Sequence, residues 1–147
     1  MPIDQAFFAT WTPRAQGLLR LVASFLFLQH ATAKFFGIPH VAFFDSLQLM
    51  SLIGIAGIIE LVGGTLLLIG LWARAAAFVL SGEMAFAYFI AHAKHDIISP
   101  MMNQGEPAVL YCFVFLYIAA HGAGIWSVDN AMKHRVAVTG STGATHV

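Results

Sequence analysis

Long apolar stretches alternate with short polar breaks along this chain. Four stretches approach the roughly 20 mostly apolar residues that a membrane-crossing helix needs: Gln16 to Phe36, Leu47 to Leu71, Ala73 to His92 and Ala108 to Trp126. Gly37-Ile38-Pro39 ends the first. The second and third nearly merge, and are divided at Gly70-Leu71-Trp72-Ala73-Arg74. A run of about 45 apolar residues is too long for one span, and the Trp-Ala-Arg turn carries an aromatic and a cation suited to an interface. The longest break, His95 to Pro107, holds Pro100, Asn103-Gln104-Gly105 and Pro107. Short connections favour antiparallel neighbours, so the pattern predicts an all-α, integral membrane four-helix up-down bundle. Residues 1–15 read as an interfacial segment anchored by Phe7, Phe8 and Trp11, and residues 16–130 as the membrane domain. Residues 131–147, rich in Gly, Ser and Thr from Thr139 onward, read as a flexible cytoplasmic tail. No basic leader precedes a short apolar core, which argues against a cleavable signal peptide, and no internal repeat is visible.

Composition reinforces this picture: 59% of the 147 residues are hydrophobic and 10% charged, against about 25% charged in a typical soluble domain. That balance excludes intrinsic disorder. One cysteine excludes a disulfide scaffold. Seven Lys plus Arg against seven Asp plus Glu, without a basic run, disfavours nucleic acid as a partner. Orientation follows from the cations near span ends. Arg14, Arg20, Arg74, Lys133 and Arg135 fall on the side of both termini, with Lys34 and Lys94 opposite. This places both termini in the cytoplasm, with Trp11, Trp72 and Trp126 at the same boundary.

The ionisable residues inside the spans carry the most information, because each costs at least about 2.5–3.5 kcal/mol at mid-bilayer. Glu60 and Glu83 fall near the middle of spans two and three, His30 and Lys34 in the outer half of span one. His92 and Glu106 lie near outer ends; Arg20 and His121 lie in inner halves. At about 100° per residue, Arg20, His30 and Lys34 form one stripe. Gly57, Glu60 and Gly64 share a small-residue face that admits a neighbouring helix. Glu106, Phe113, Tyr117, His121 and Gly124 fall within about 60° of one direction. Glu83 and His92 point about 180° apart, so they cannot serve one site unless the helix bends.

The plainest reading is charge neutralisation: Arg20 with Glu60, or Lys34 with Glu106 or Glu83. A metal site is disfavoured, since no Glu-x-x-His spacing occurs and Glu83 and His92 diverge. Bis-histidine haem ligation by His30 and His92 is also disfavoured. Cys112 reads as a small core residue. A quinone or aromatic ligand fits better, because it needs an apolar cavity with a few polar groups, and His or carboxylate groups exchange the accompanying protons. Tyr88, Phe113 and Tyr117 are candidates to line such a cavity. An ion or solute path is the competing transport reading; four short helices without an inverted repeat would need an oligomer.

The ordered series Gly17-Leu18-Leu19-Arg20-Leu21, His30, Lys34, Glu60-Leu61-Val62-Gly63-Gly64, Gly70-Leu71, Arg74-Ala75-Ala76, Glu83-Met84, His92, Asn103-Gln104-Gly105-Glu106 and Trp126-Ser127-Val128-Asp129 resembles the DoxX family. Ala23-Ser24 and His30-Ala31 depart mildly from it. The resemblance covers about residues 15–130. It implies a four-helix membrane bundle and a redox or quinone theme, the family being named after a subunit of a membrane thiosulfate:quinone oxidoreductase.

Together these readings predict a membrane subunit of a quinone-linked redox system. His30, Glu60 and Glu83 are the candidate catalytic, proton-handling groups. Arg20, Lys34, His92, Glu106, Tyr117 and His121 are the candidate ligand-binding groups. The expected cofactor is a quinone, and the expected partners are the lipid bilayer, an electron-supplying redox protein and, as an option, further copies of the chain. The alternatives are a non-catalytic assembly subunit and a small carrier.

Overall fold

The computed structural model describes residues 5–94 and 96–133. The expected contributions of His95, Arg135 and the tail beyond residue 133 lie outside the described residues, as do residues 1–4. Four main helices form the molecule: α1 (Gln5–Phe36), α2 (Leu52–Ile69), α3 (Ala73–Ala87) and α4 (Glu106–His121). A short 3-10 turn, Ala42–Phe44, sits between α1 and α2, and a π-helical turn, Tyr88–His92, prolongs α3. No strand occurs among the described residues.

Local chemistry sets the helix ends. α1 runs unbroken through Pro13 and past the expected boundary at residue 15, so residues 5–15 continue the first span as helix. α2 begins later than its hydropathy suggests, because the Ser51 hydroxyl accepts the Gly54 N–H at 3.1 Å and defines the N-cap. It stops at Gly70, whose φ of 71° is the left-handed conformation glycine adopts without strain. Residues 47–50 therefore belong to the connection and not to the span. α4 starts two residues before the predicted position, with Glu106 in its first turn and Pro107 behind it. It ends at Gly122 (φ 97°), short of Trp126.

The helices pack in chain order, α1 on α2, α2 on α3 and α3 on α4, while α1 and α4 meet only weakly. Small residues let α1 and α2 close up as their spacing predicts. A Cβ on Gly57 would come within 2.8 Å of Phe35, and one on Gly64 within 2.8 Å of Leu28. These two contacts fix the antiparallel register. Lys34 consequently lies level with the turn Gly57–Glu60. The core is formed by Phe27, Leu67, Leu80, Phe115 and Ile118, all fully buried, with Phe27 edge-on to Phe115 at 4.9 Å.

The outside is apolar. Phe25, Phe78, Phe86 and Phe113 are all more than half exposed. α2 and the helical stretch Ala73–His92 are long and apolar enough to cross a membrane. At about 1.5 Å per residue, the 16-residue α4 spans roughly 24 Å.

Candidate functional site

Polar groups collect at both ends of the bundle. At the end where α2 gives way to α3, Arg20 is fully buried and directed wholly at backbone oxygens. Its Nε donates to Ala123 O at 2.8 Å, Nη1 to Leu67 O at 2.7 Å and also to Leu68 O, and Nη2 to Trp126 O at 2.8 Å. These carbonyls belong to the last turn of α2 and the segment after α4, where intrahelical partners run out. Arg20 therefore does not pair with Glu60, and it faces no ligand space; it ties three segments of backbone together. Arg74 does the same for α4, donating to the carbonyls of Ala119, Ala120 and His121 at 2.6–3.2 Å. Asp129 accepts from Trp72 N–H and Ala73 N–H, each at 2.9 Å, and so caps α3 from across the molecule. Gln16, also buried, donates to Gly122 O at 2.6 Å.

The opposite end is built from side chains facing side chains. Lys34 Nζ donates to both Glu60 oxygens, at 2.6 and 2.7 Å, and both side chains are over nine-tenths buried. The Phe44 ring lies 5.9 Å from Nζ and covers it from the connection. Glu83, on α3, is near enough to feel the charges of Glu60 and Lys34. Its Oε2 is buried with no hydrogen-bond partner among the described residues. His30 also feels Glu60 and Lys34, but it is exposed at the seam between α1 and α4, with its ring 6.0 Å from Phe27 and 6.1 Å from Tyr111. One buried cation thus pairs with one buried carboxylate, while a second, half-buried carboxyl stands near the pair with a buried oxygen unpartnered among the described residues, beside an imidazole at an apolar, aromatic seam.

Other predicted residues are placed elsewhere. His92 is half-buried in the π-turn, stacked on Tyr88, with Nδ1 3.1 Å from Asn103 O. The π-turn changes the helical phase here, but it gives His92 to the connection and not to Glu83. Glu106 is exposed at the start of α4. Tyr117 and His121 stack on each other at 4.1 Å and both are exposed, as is Phe113. The face that helical phase grouped together therefore points outward. The buried face of α4 is instead Ala108, Phe115 and Ile118, which meet the core. Among the described residues no three His, Cys, Asp or Glu side chains gather as metal ligands.

Sequence reasoning did not single out Asn103, Tyr111 or Asp129 as site residues. Asn103 is buried, bonding Tyr88 OH at 3.2 Å and Gly105 N at 2.8 Å, and holds the connection against the π-turn. Asn103 and Asp129 stand in two of the motif stretches, so their signal was present as pattern without a chemical role. In the connection, outside the spans, the Ile98 N–H and then the Ser99 hydroxyl hold the exposed Asp96 carboxyl below the usual carboxylate range.

The fold and its apolar exterior define a helical membrane protein with a polar cluster inside the bundle. A DoxX family model matches residues 15–93, more than half of the chain. A Haemophilus influenzae protein described only as an uncharacterized protein is 41% identical over 128 residues, covering 82% of this chain and 92% of the relative. The chain belongs to the DoxX family. No solved structure matches it significantly.

Proposed function

We propose that this protein is an integral subunit of a quinone-linked redox system in the cell membrane, and that His30, Lys34, Glu60 and Glu83 handle the head group of a quinone-like ligand or its protons. The observation that carries this reading is the buried Glu83 oxygen without a partner, beside a Lys34–Glu60 pair that already neutralises itself. A polar atom so placed costs about 1–3 kcal/mol unless something bonds to it. A quinone gains protons at its carbonyl oxygens when it is reduced, and its electrons come from a partner protein. Glu83 would exchange a proton with such an oxygen, Lys34 would hold the neighbouring negative charge, and the seam of Phe27, His30 and Tyr111 would admit a flat apolar ring from the lipid. Glu60, with both oxygens on Lys34, acts here as the orienting partner.

Both termini would face the cytoplasm. Arg20 is buried and drops out of the charge comparison, but Arg14, Arg74 and Lys133 remain on that side, with Trp72 and Trp126 well exposed beside them. The decisive experiment is quinone content after purification from the native membrane in mild detergent, with Glu83→Gln and Glu60→Gln alongside. Near-stoichiometric quinone in the wild type that falls in Glu83→Gln supports the reading. Quinone at the detergent blank in the wild type overturns it in favour of a non-catalytic assembly subunit. The completeness of the Lys34–Glu60 pair favours that second reading.

A further inference from the structure

A large cavity lies far from the Lys34–Glu60 cluster. It is an open cleft of about 1030 Å³ at the Arg20 end, between the start of α3, the end of α4 and the segment that follows. Its ionisable lining is Arg74, Lys133, His121 and Asp129, and its apolar lining includes Pro13 and Met132.

We infer that this cleft binds the phosphate head group of an anionic phospholipid. Asp129 is the one acid in the lining among the described residues, and both its oxygens already accept backbone N–H groups of the α3 N-terminus. Arg74 directs three hydrogen bonds at the α4 carbonyls, out of five donors on a guanidinium, and its side chain is exposed. Lys133 is exposed and has no acidic partner among the described residues. Two cations therefore face the cleft against one acid whose oxygens are engaged, a balance that selects an anion.

The location selects a lipid. Trp72, which lines the cleft, is 68% exposed, and Trp126, next to two lining residues, is 61% exposed. Tryptophans placed so on a membrane protein mark the head-group level. Basic pockets between helices at that level recognise anionic head groups. The apolar walls give the first carbons of the acyl chains a place that a free phosphate ion leaves empty.

The test is native mass spectrometry of the full chain released from neutral detergent after incubation with phosphatidylglycerol, phosphatidylcholine or inorganic phosphate. Phosphatidylglycerol should be retained at least fivefold better than phosphatidylcholine. Lys133→Gln should cut that retention about fivefold, the worth of one cation at a membrane surface, and Lys133→Arg should restore it. Equal retention of the two lipids, or unchanged retention in Lys133→Gln, overturns the proposal. Retention of inorganic phosphate as strong as that of phosphatidylglycerol overturns the lipid and assigns the cleft to a soluble anion. None of these outcomes depends on Glu83 or Lys34.

Discussion

Both ends of the bundle bury a cation on the same helix, α1, yet the two cations do different work. Arg20 finds only backbone oxygens, from the last turn of α2 and from the irregular segment after α4, where the regular ladder of helix hydrogen bonds has ended. Lys34 finds only a carboxylate, and a second carboxyl stands nearby without a charge to match it. The first arrangement is closed: its donors and acceptors complete one another within the chain. The second is left open by one oxygen and by one exposed imidazole. Burial of a charge is therefore a poor guide to function, and the identity of its partners is a better one. Carbonyls at helix ends need a donor to fold; a carboxyl with a buried, unpartnered oxygen does nothing for folding.

The comparison is broken most severely at Arg20. Arg20→Ala takes the donor from the carbonyls of Leu68, Ala123 and Trp126 and leaves Leu67 O with the Gly70 N–H alone, and removing one side of a buried charged network typically costs about 3–5 kcal/mol. The expected result is loss of the monodisperse, folded protein on size exclusion in detergent, or a thermal midpoint lowered by more than any other single change discussed here. If Arg20→Ala folds with near wild-type stability, this end is not the structural end.

The Lys34–Glu60 pair sharpens the contrast. Glu60→Gln leaves a buried Lys34 unpaired and should destabilise by a few kcal/mol, whereas Lys34→Met with Glu60→Met together should recover most of that loss. Glu83→Gln removes no partner of any described residue and should leave thermal stability within about 0.5 kcal/mol of wild type. If it also abolishes quinone retention, function and stability separate at this end as they do not at the other. A large destabilisation by Glu83→Gln would mean that its carboxyl serves the fold.

Asp129 marks a smaller, local effect at the closed end. Asp129→Ala removes the acceptor for Trp72 N–H and Ala73 N–H, and should cost about 1 kcal/mol, as N-cap losses do. Thermal unfolding in detergent measures it; no change would show that the start of α3 is held by packing alone.

The architecture was readable because long apolar runs and glycine-rich breaks are one-dimensional signals. The face Gly57, Glu60, Gly64 was readable for the same reason, since one helix has one phase and small residues on it admit a neighbour. Pairing across helices was not readable. Helical phase grouped Arg20 with His30 and Lys34, but register then lowered Lys34 onto Glu60 and gave Arg20 to helix ends whose carbonyls carry no residue-specific signal. The α4 grouping failed in another way. Glu106, Phe113, Tyr117 and His121 do share a direction, and hydropathy alone does not reveal that it is the outward one. The packed face of Ala108, Phe115 and Ile118 is no more apolar than its surroundings in a helix that is apolar all round. The π-turn at Tyr88–His92 adds a last obstacle, because it changes the phase on which any statement about His92 rests.

The smallest effect is expected at Asp96, in the connection beyond α3, where neither end of the comparison is engaged. Its Oδ1 accepts from Ile98 N at 2.9 Å and from Ser99 N at 3.1 Å, and these bonds favour the ionised form. The folded carboxyl therefore titrates below its unfolded counterpart, whose ordinary value is about 3.8. By linkage, the stability it contributes is fully present above that ordinary value and is lost as pH falls through the lower, folded one. Comparing thermal midpoints of wild type and Asp96→Asn tests this. The wild type should lead by a small constant margin from pH 7 down to about pH 5 and lose that margin in more acidic solution, where the carboxyl of the folded protein takes up its proton. A margin that widens on acidification would mean that protonated Asp96 is the form the fold prefers, and that the turn at Ile98 and Ser99 is held by something other than the carboxylate.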